Sequence, residues 1–233
     1  MITALVGADK TGIYSVIYNF SMIATALTSA LSGIWSPWYL ARLKGHTPED
    51  FCRINYMTKI YVLFMTAILC GVILVAPEIL KWLTPEPYWE GISIIPPIVL
   101  ANFVTFVYTF YVDIEHIHRK TMAIAINTMT AAVCNIVLNY IFIPFAGYEA
   151  AAYTTIASYI ISLLLHYFQA KKLEPQASRL LFYTREFLIV ITISIVYYFS
   201  LELWFIRWSI AAVLGVGILA YLLKQKIDNK LHF

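Results

Sequence analysis

Apolar residues gather into seven runs separated by short polar connections: Ile13 to Leu40, Ile60 to Ala76, Ile92 to Val112, Met122 to Phe142, Ala150 to Tyr167, Phe187 to Leu203 and Trp208 to Leu223. Each approaches the ~20 residues that a helix needs to cross ~30 Å of hydrocarbon at ~1.5 Å per residue. The pattern predicts an all-α, polytopic membrane helix bundle of seven transmembrane helices. No connection is long enough to be a separate soluble domain. The largest, Ala41 to Lys59 and Ala170 to Glu186, are polar and expected to be partly helical.

Charge then orients the bundle. Of the 16 Lys and Arg, the connections after the first, third and fifth runs and the tail after the last hold all but Lys10, Lys81 and Arg207. Their members are Arg42, Lys44, Arg53 and Lys59; Arg119 and Lys120; Lys171, Lys172, Arg179 and Arg185; Lys224, Lys226 and Lys230. Basic loop residues stay on the cytoplasmic side during insertion. These groups and the C-terminus are therefore expected inside and residues 1–12 outside. Met1 to Thr11 would then cross without a signal ahead of them, since no basic n-region precedes a short apolar core. The chain reads as the C-terminal part of a longer protein, preceded by a helix entering from the cytoplasm.

Composition adds exclusions. With 61% hydrophobic and 12% charged residues the chain cannot coat a water-soluble globule of its size. The net charge of +3 reports topology, and nucleic acid is not an expected partner, because that would need basic residues clustered on one polar face. Cys52, Cys70 and Cys134 lack the paired spacing of metal or redox sites and read as small apolar fillers. Pro77, Pro96, Pro97 and Pro144 fall at run ends, where a missing N–H costs least. Pro37, between Trp35 and Trp38, is expected to bend the long first span where the two indoles anchor at the interface.

Polar residues inside the runs carry the functional argument, since a polar group facing lipid is costly. Tyr14, Tyr18, Ser21, Thr25, Thr28 and Ser32 recur at steps of three and four on one face of the first span, with Asn19 and Ser29 beside them. Asn127, Asn135 and Asn139 share a face of the fourth span, and Asn102 is the lone amide of the third. Two readings stand: hydroxyls and amides that let helices pack closely, or an uncharged wall suited to sugar hydroxyls, formed where the two polar faces meet. No Asp, Glu, Lys or Arg lies deep in any run.

Asp113, Glu115, His116 and His118 are metal-ligand types, but roughly 200° of helix separates 116 from 118, against the usual i, i+3 or i, i+4 pairs, so the cluster reads as a solvated helix end. His166 reads as an interfacial or packing histidine. No nucleophile elbow, phosphate loop or paired carboxylates appear, so neither an enzyme nor a cofactor is expected.

The stretch Gly12 to Gly45, GIYSVIYNFSMIATALTSALSGIWSPWYLARLKG, resembles the polysaccharide flippase helix that runs from a G-x-Y-S start to a W-x-P-W-type inner end. Tyr88 to Tyr167 is similar to three later helices of that family, through IIPP (Ile94 to Pro97), EHIHRKT (Glu115 to Thr121), NIVLNYIFIP (Asn135 to Pro144) and GYEAAAYTT (Gly147 to Thr155). The family belongs to the multidrug, oligosaccharidyl-lipid and polysaccharide exporter superfamily. The resemblance implies two six-helix lobes around a central cavity, with residues 1–169 as an incomplete C-terminal lobe and 170–233 as a cytoplasmic linker and two additional helices. It implies alternating-access flipping of an undecaprenyl-pyrophosphate-linked oligosaccharide across a bacterial cytoplasmic membrane, for surface polysaccharide synthesis. The implied partners are that lipid-linked oligosaccharide, the lipid bilayer, the missing N-terminal lobe and a polysaccharide polymerase. On this reading Ser21, Thr25 and Thr28 touch the glycan, the asparagines of the fourth span support the wall, and the last two spans offer an apolar groove for the polyprenyl tail.

Three other classes compete. A multidrug or cation exporter of the same superfamily would be expected to show buried carboxylates. A membrane glycan polymerase or ligase would need an external catalytic loop, for which there is almost no room. A seven-helix receptor or light-driven pump would need, for retinal, a lysine in the last span, which has none.

Overall fold

The computed structural model describes residues 1–177 and 179–230, and every regular element among them is helical. A short α1 (Ile2–Val6) leads into α2 (Ala8–Gly45), α3 (Pro48–Leu83), a 3₁₀ helix (Glu86–Ile94), α4 (Ile95–Ile117), α5 (Thr121–Ala146), α6 (Ala150–Leu173), α7 (Leu181–Phe199) and α8 (Trp204–Lys230). The side chains of Lys226 and Lys230, assigned to the basic tail, lie outside the described residues.

Local chemistry sets the boundaries. The α2–α3 turn is helical almost throughout: His46 takes a left-handed conformation (φ 54°), and Thr47 caps α3 by accepting the Asp50 N–H at 3.1 Å. Pro48 opens α3, where its missing N–H has no partner to lose. Pro96 and Pro97 stand in the first turn of α4 for the same reason, so the expected third span starts as a 3₁₀ helix and becomes α-helical at Ile95. Pro37 and Pro77 lie inside helices that continue through them.

Connections alternate between two ends of the bundle. At one, His46 (α2–α3) and His118 (α4–α5) both reach Glu174 (α6–α7), at 3.6 and 2.9 Å. At the other, Ser93 (3₁₀ helix) donates to Glu149 (α5–α6) at 2.9 Å, and Tyr198 near the end of α7 donates to the Ser93 carbonyl at 2.8 Å. The first is the end rich in Lys and Arg and the second the end poor in them, so the ladder of loop charges matches a real up-and-down arrangement.

Six helices, α2, the 3₁₀ helix with α4, α3, α5, α6 and the described part of α8, are long and apolar enough to cross a membrane by length and composition. That count is made among the described residues; α7 carries the seventh expected run from Phe187 to Phe199, and Ser200 to Leu203 form the turn into α8. Helix α7 runs beside α4 over most of its length: Tyr183 stacks on Phe110 with centroids 5.7 Å apart, and the Tyr197 hydroxyl donates to the Ile92 carbonyl at 2.7 Å.

The core lies where α2, α3, α4 and α7 converge. Near the basic end it is aromatic: Trp35 packs against Trp38, Tyr39, Tyr61 and Phe110 at 4.6–5.9 Å. Trp35 is thus turned into the bundle, where rings of its own helix and of two neighbours, α3 and α4, surround it. From this core α6 packs along α4, α5 along α6 and α8 along α3. Gly91 of the 3₁₀ helix allows close approach to α2. An added Cβ would meet Ile17 Cγ1 at 2.6 Å and Ile13 Cγ2 at 2.8 Å. Gly91→Ala is expected to destabilise the fold by about 1–3 kcal/mol, seen as a lower midpoint of thermal unfolding in detergent; an unchanged midpoint would show that the 3₁₀ helix is free to lift away.

Candidate functional site

The polar stripe of α2 divides when the helix packs. Ser21 is fully buried and Thr28 nearly so, on the same face as Ile13, Ile17 and Ala24. The Thr28 hydroxyl donates to the Thr25 carbonyl at 2.8 Å, Ser32 approaches the Tyr61 hydroxyl at 3.4 Å, and half-buried Asn102 of α4 donates to the Ser21 carbonyl at 3.2 Å. These groups join α2 to α3 and α4. Thr25 is half-buried beside them. On the flank, Tyr14 and Tyr18 stack with centroids 6.0 Å apart and, with Ser15 and Asn19, line an open depression of about 210 Å³.

The α5 amides meet α6 rather than α2. Asn139 donates to Asn135 at 2.9 Å and accepts from Thr154 at 2.5 Å, while Asn127 is half-buried nearer the start of the helix. The two polar faces do not pack together, because α4 and α6 lie between α2 and α5; α1 bridges the pair at the basic-poor end. Beside the α2 depression stand residues of α6: Tyr14 is within hydrogen-bonding reach of Thr155, and Tyr159 lies near both Tyr18 and Tyr108 of α4. This cleft and its surroundings are phenols, hydroxyls and one amide. Thr155, Tyr159 and Tyr108 were not singled out by sequence; an alternation of aromatic and hydroxyl residues within apolar runs was the only signal available.

The basic-rich end holds ionic groups that run length had placed in solvent. Glu115 is fully buried, its Oε2 2.8 Å from Nδ1 of fully buried His166, whose ring stacks on Tyr108 at 5.6 Å. Glu115 Oε1 and His166 Nε2 have no hydrogen-bond partner. Asp113 accepts from Ser36 at 2.9 Å, Glu174 is buried beneath His118, and buried Glu186 takes Arg185 Nε at 2.9 Å. The solvated-end reading holds for exposed His116 and is corrected for fully buried Glu115 and for half-buried Asp113 and His118. Glu115 lies on the α6-facing side of α4, whereas His118 caps the helix and turns to Glu174. No acidic or basic residue lies deep in an apolar run, but helices longer than their runs bury charges that flank them. Among the described residues no three His, Cys, Asp or Glu converge to hold a metal ion.

At the opposite end Arg207, which sequence alone assigned to a connection, is also fully buried. Its Nε donates to the Leu74 carbonyl at 3.2 Å, Nη1 to the carbonyls of Ser200 and, at 2.5 Å, Leu201, and Nη2 pairs with Glu78 of α3. Beside this, Lys10 pairs with Glu90 at 2.5 Å and the Tyr148 hydroxyl donates to the same carboxylate at 3.4 Å. Burial, together with Glu90 and Glu149, pushes the Tyr148 phenol well above its ordinary range and keeps it a neutral donor.

An apolar groove of about 420 Å³ opens between α4, α6 and α7, lined by Phe103, Val107, Leu163 and Phe187 among others. The expected groove of the last two spans is thus made by α7 with α4 and α6, while α8 stands on the far side against α3.

The fold and these sites define the class: an all-helical membrane bundle with an uncharged cleft and buried ionisable pairs near both ends. Comparison with protein-family models, with curated proteins and with solved structures finds no match to the chain.

Proposed function

We propose that this chain is part of a lipid-linked oligosaccharide flippase of a bacterial cytoplasmic membrane, a transporter and not an enzyme. It moves undecaprenyl-pyrophosphate-linked repeat units outward for surface polysaccharide synthesis, with its basic connections in the cytoplasm and α7 completing a seventh crossing. The order and spacing of the motifs in Gly12 to Gly45 and Tyr88 to Tyr167 support the family. The observation that carries the function is the uncharged cleft lined by Tyr14, Ser15, Tyr18 and Asn19 of α2, with Thr155 and Tyr159 of α6 beside it. Sugar hydroxyls need hydrogen-bonding partners while they cross the hydrocarbon depth, and phenols and amides give these without the desolvation cost of a buried charge. The groove of α4, α6 and α7 suits the polyprenyl tail, and the N-terminal lobe and polymerase remain the partners this reading implies.

The test is flipping in proteoliposomes that hold the full-length parent, its N-terminal lobe included, since this part is not expected to flip alone. A fluorescent lipid-linked oligosaccharide is expected to become accessible to an external quencher, and Tyr18→Leu with Tyr159→Leu to slow this at least tenfold. Ser21→Ala and Thr28→Ala, which alter packing groups, should act chiefly on stability. Equal rates in the double tyrosine variant and the parent chain would remove the cleft from the pathway.

A cation exporter is the second reading, favoured by the fully buried Glu115–His166 pair, since buried carboxylates are what such an exporter needs. It predicts that cells carrying this gene extrude ethidium and lose that ability on Glu115→Gln, with the surface polysaccharide unaffected.

A further inference from the structure

A partly polar cavity of about 420 Å³ lies at the basic-poor end between the ends of α3 and α7, the 3₁₀ helix and the start of α8. Two indoles, Trp89 and Trp204, line it together with Glu78, Glu90, Glu202, Lys81 and Ser93. Its charges balance. Glu78 is held by Arg207, Glu90 by Lys10, and Glu202 shares the wall with Lys81, whose ammonium sits 5.5 Å from the Trp89 ring centroid. That balance sorts the ligands. An anion would face three carboxylates, while a cation would find the Trp89 ring already taken by Lys81 and would be repelled by it. A neutral polyhydroxyl ligand fits these groups: carboxylates and the Ser93 oxygen, whose own proton goes to Glu149, accept its hydroxyl protons, Lys81 donates to its oxygens, and an indole covers an apolar C–H face. The Arg207 anchor, with four acceptors around one buried guanidinium, fixes Glu78 before any ligand arrives.

We infer that this cavity is a saccharide-binding site for neutral pyranose units, at the end of the bundle opposite the basic connections. It deepens the flippase reading by naming where the sugar is met after crossing, and rests on that reading only for the origin of the sugar.

The experiment uses the full chain in lipid nanodiscs with 5-fluorotryptophan, the ¹⁹F resonances being assigned by Trp→Phe replacement. On titration with N-acetylglucosamine the Trp89 and Trp204 resonances are expected to move saturably while Trp35 stays still, and Lys81→Met with Glu202→Gln, both at exposed positions, to weaken binding at least tenfold. Glucuronate and choline should shift neither resonance at the same concentrations. No saturable shift, an equal response to either charged probe, or a sugar response unchanged in the double variant would each overturn the assignment. Flipping is measured separately, so a silent cavity in an active flippase and a sugar-binding cavity in an inactive chain are distinct results.

Discussion

Replacing Arg207 by methionine is expected to cost about 3–5 kcal/mol, the range for breaking one partner of a buried ion pair. The substitution takes the guanidinium from the carbonyls of Leu74, Ser200 and Leu201, of which Ser200 keeps the Leu203 N–H at 2.9 Å, and leaves the Glu78 carboxylate with the Trp208 indole N–H at 3.2 Å. Because α8 packs chiefly on α3, its loss of anchorage should appear as earlier thermal unfolding and as protease cleavage near the α7–α8 turn. Arg207→Lys should recover little, since one ammonium cannot span acceptors spread around a planar guanidinium. The double variant Arg207→Met with Glu78→Gln should be milder than Arg207→Met alone, because no carboxylate is then left uncompensated. A wild-type unfolding midpoint for Arg207→Met would show that Arg207 is not buried in the folded protein.

The second large effect concerns Glu115 and His166. His166→Leu removes the only hydrogen-bond partner of a fully buried carboxyl and is expected to destabilise the chain by a similar 3–5 kcal/mol. Glu115→Leu with His166→Leu should regain most of that, because one oxygen and one nitrogen of the pair are already unpartnered and an apolar pair of similar volume packs at no polar cost. The combined measurement is informative. A double variant that is as stable as the parent and flips oligosaccharide at the parent rate marks the pair as structural, whereas a stable double variant that no longer transports marks it as part of the transport cycle.

How much of this was legible beforehand can be judged residue by residue. The helices were, because a run such as Met122 to Phe142 is apolar enough to be helical in any surroundings that exclude water. The side a residue faces was less so. Tyr14, Tyr18, Ser21 and Thr28 share a helical stripe, yet Ser21 and Thr28 are buried against neighbours while Tyr18 is exposed in the cleft, and spacing within α2 cannot distinguish a neighbouring helix from a cavity. Trp35 likewise carries the composition of an interfacial anchor and ends in an aromatic core, because Tyr61 and Phe110 arrive from other helices. Thr155, Tyr159 and Tyr108 gained significance only when α6 was laid beside α2.

The sequence by itself determined the all-helical character and the alternation of basic and non-basic connections, which follow from local sums: transfer free energy over about 20 residues and the count of Lys and Arg in each connection. Only the tertiary structure decided which flanking charges are buried. Arg207 meets Glu78 across 129 residues and His166 meets Glu115 across 51. A charge enters a helix bundle only where a partner from another segment offsets its desolvation, and that partner is invisible until the chain has folded.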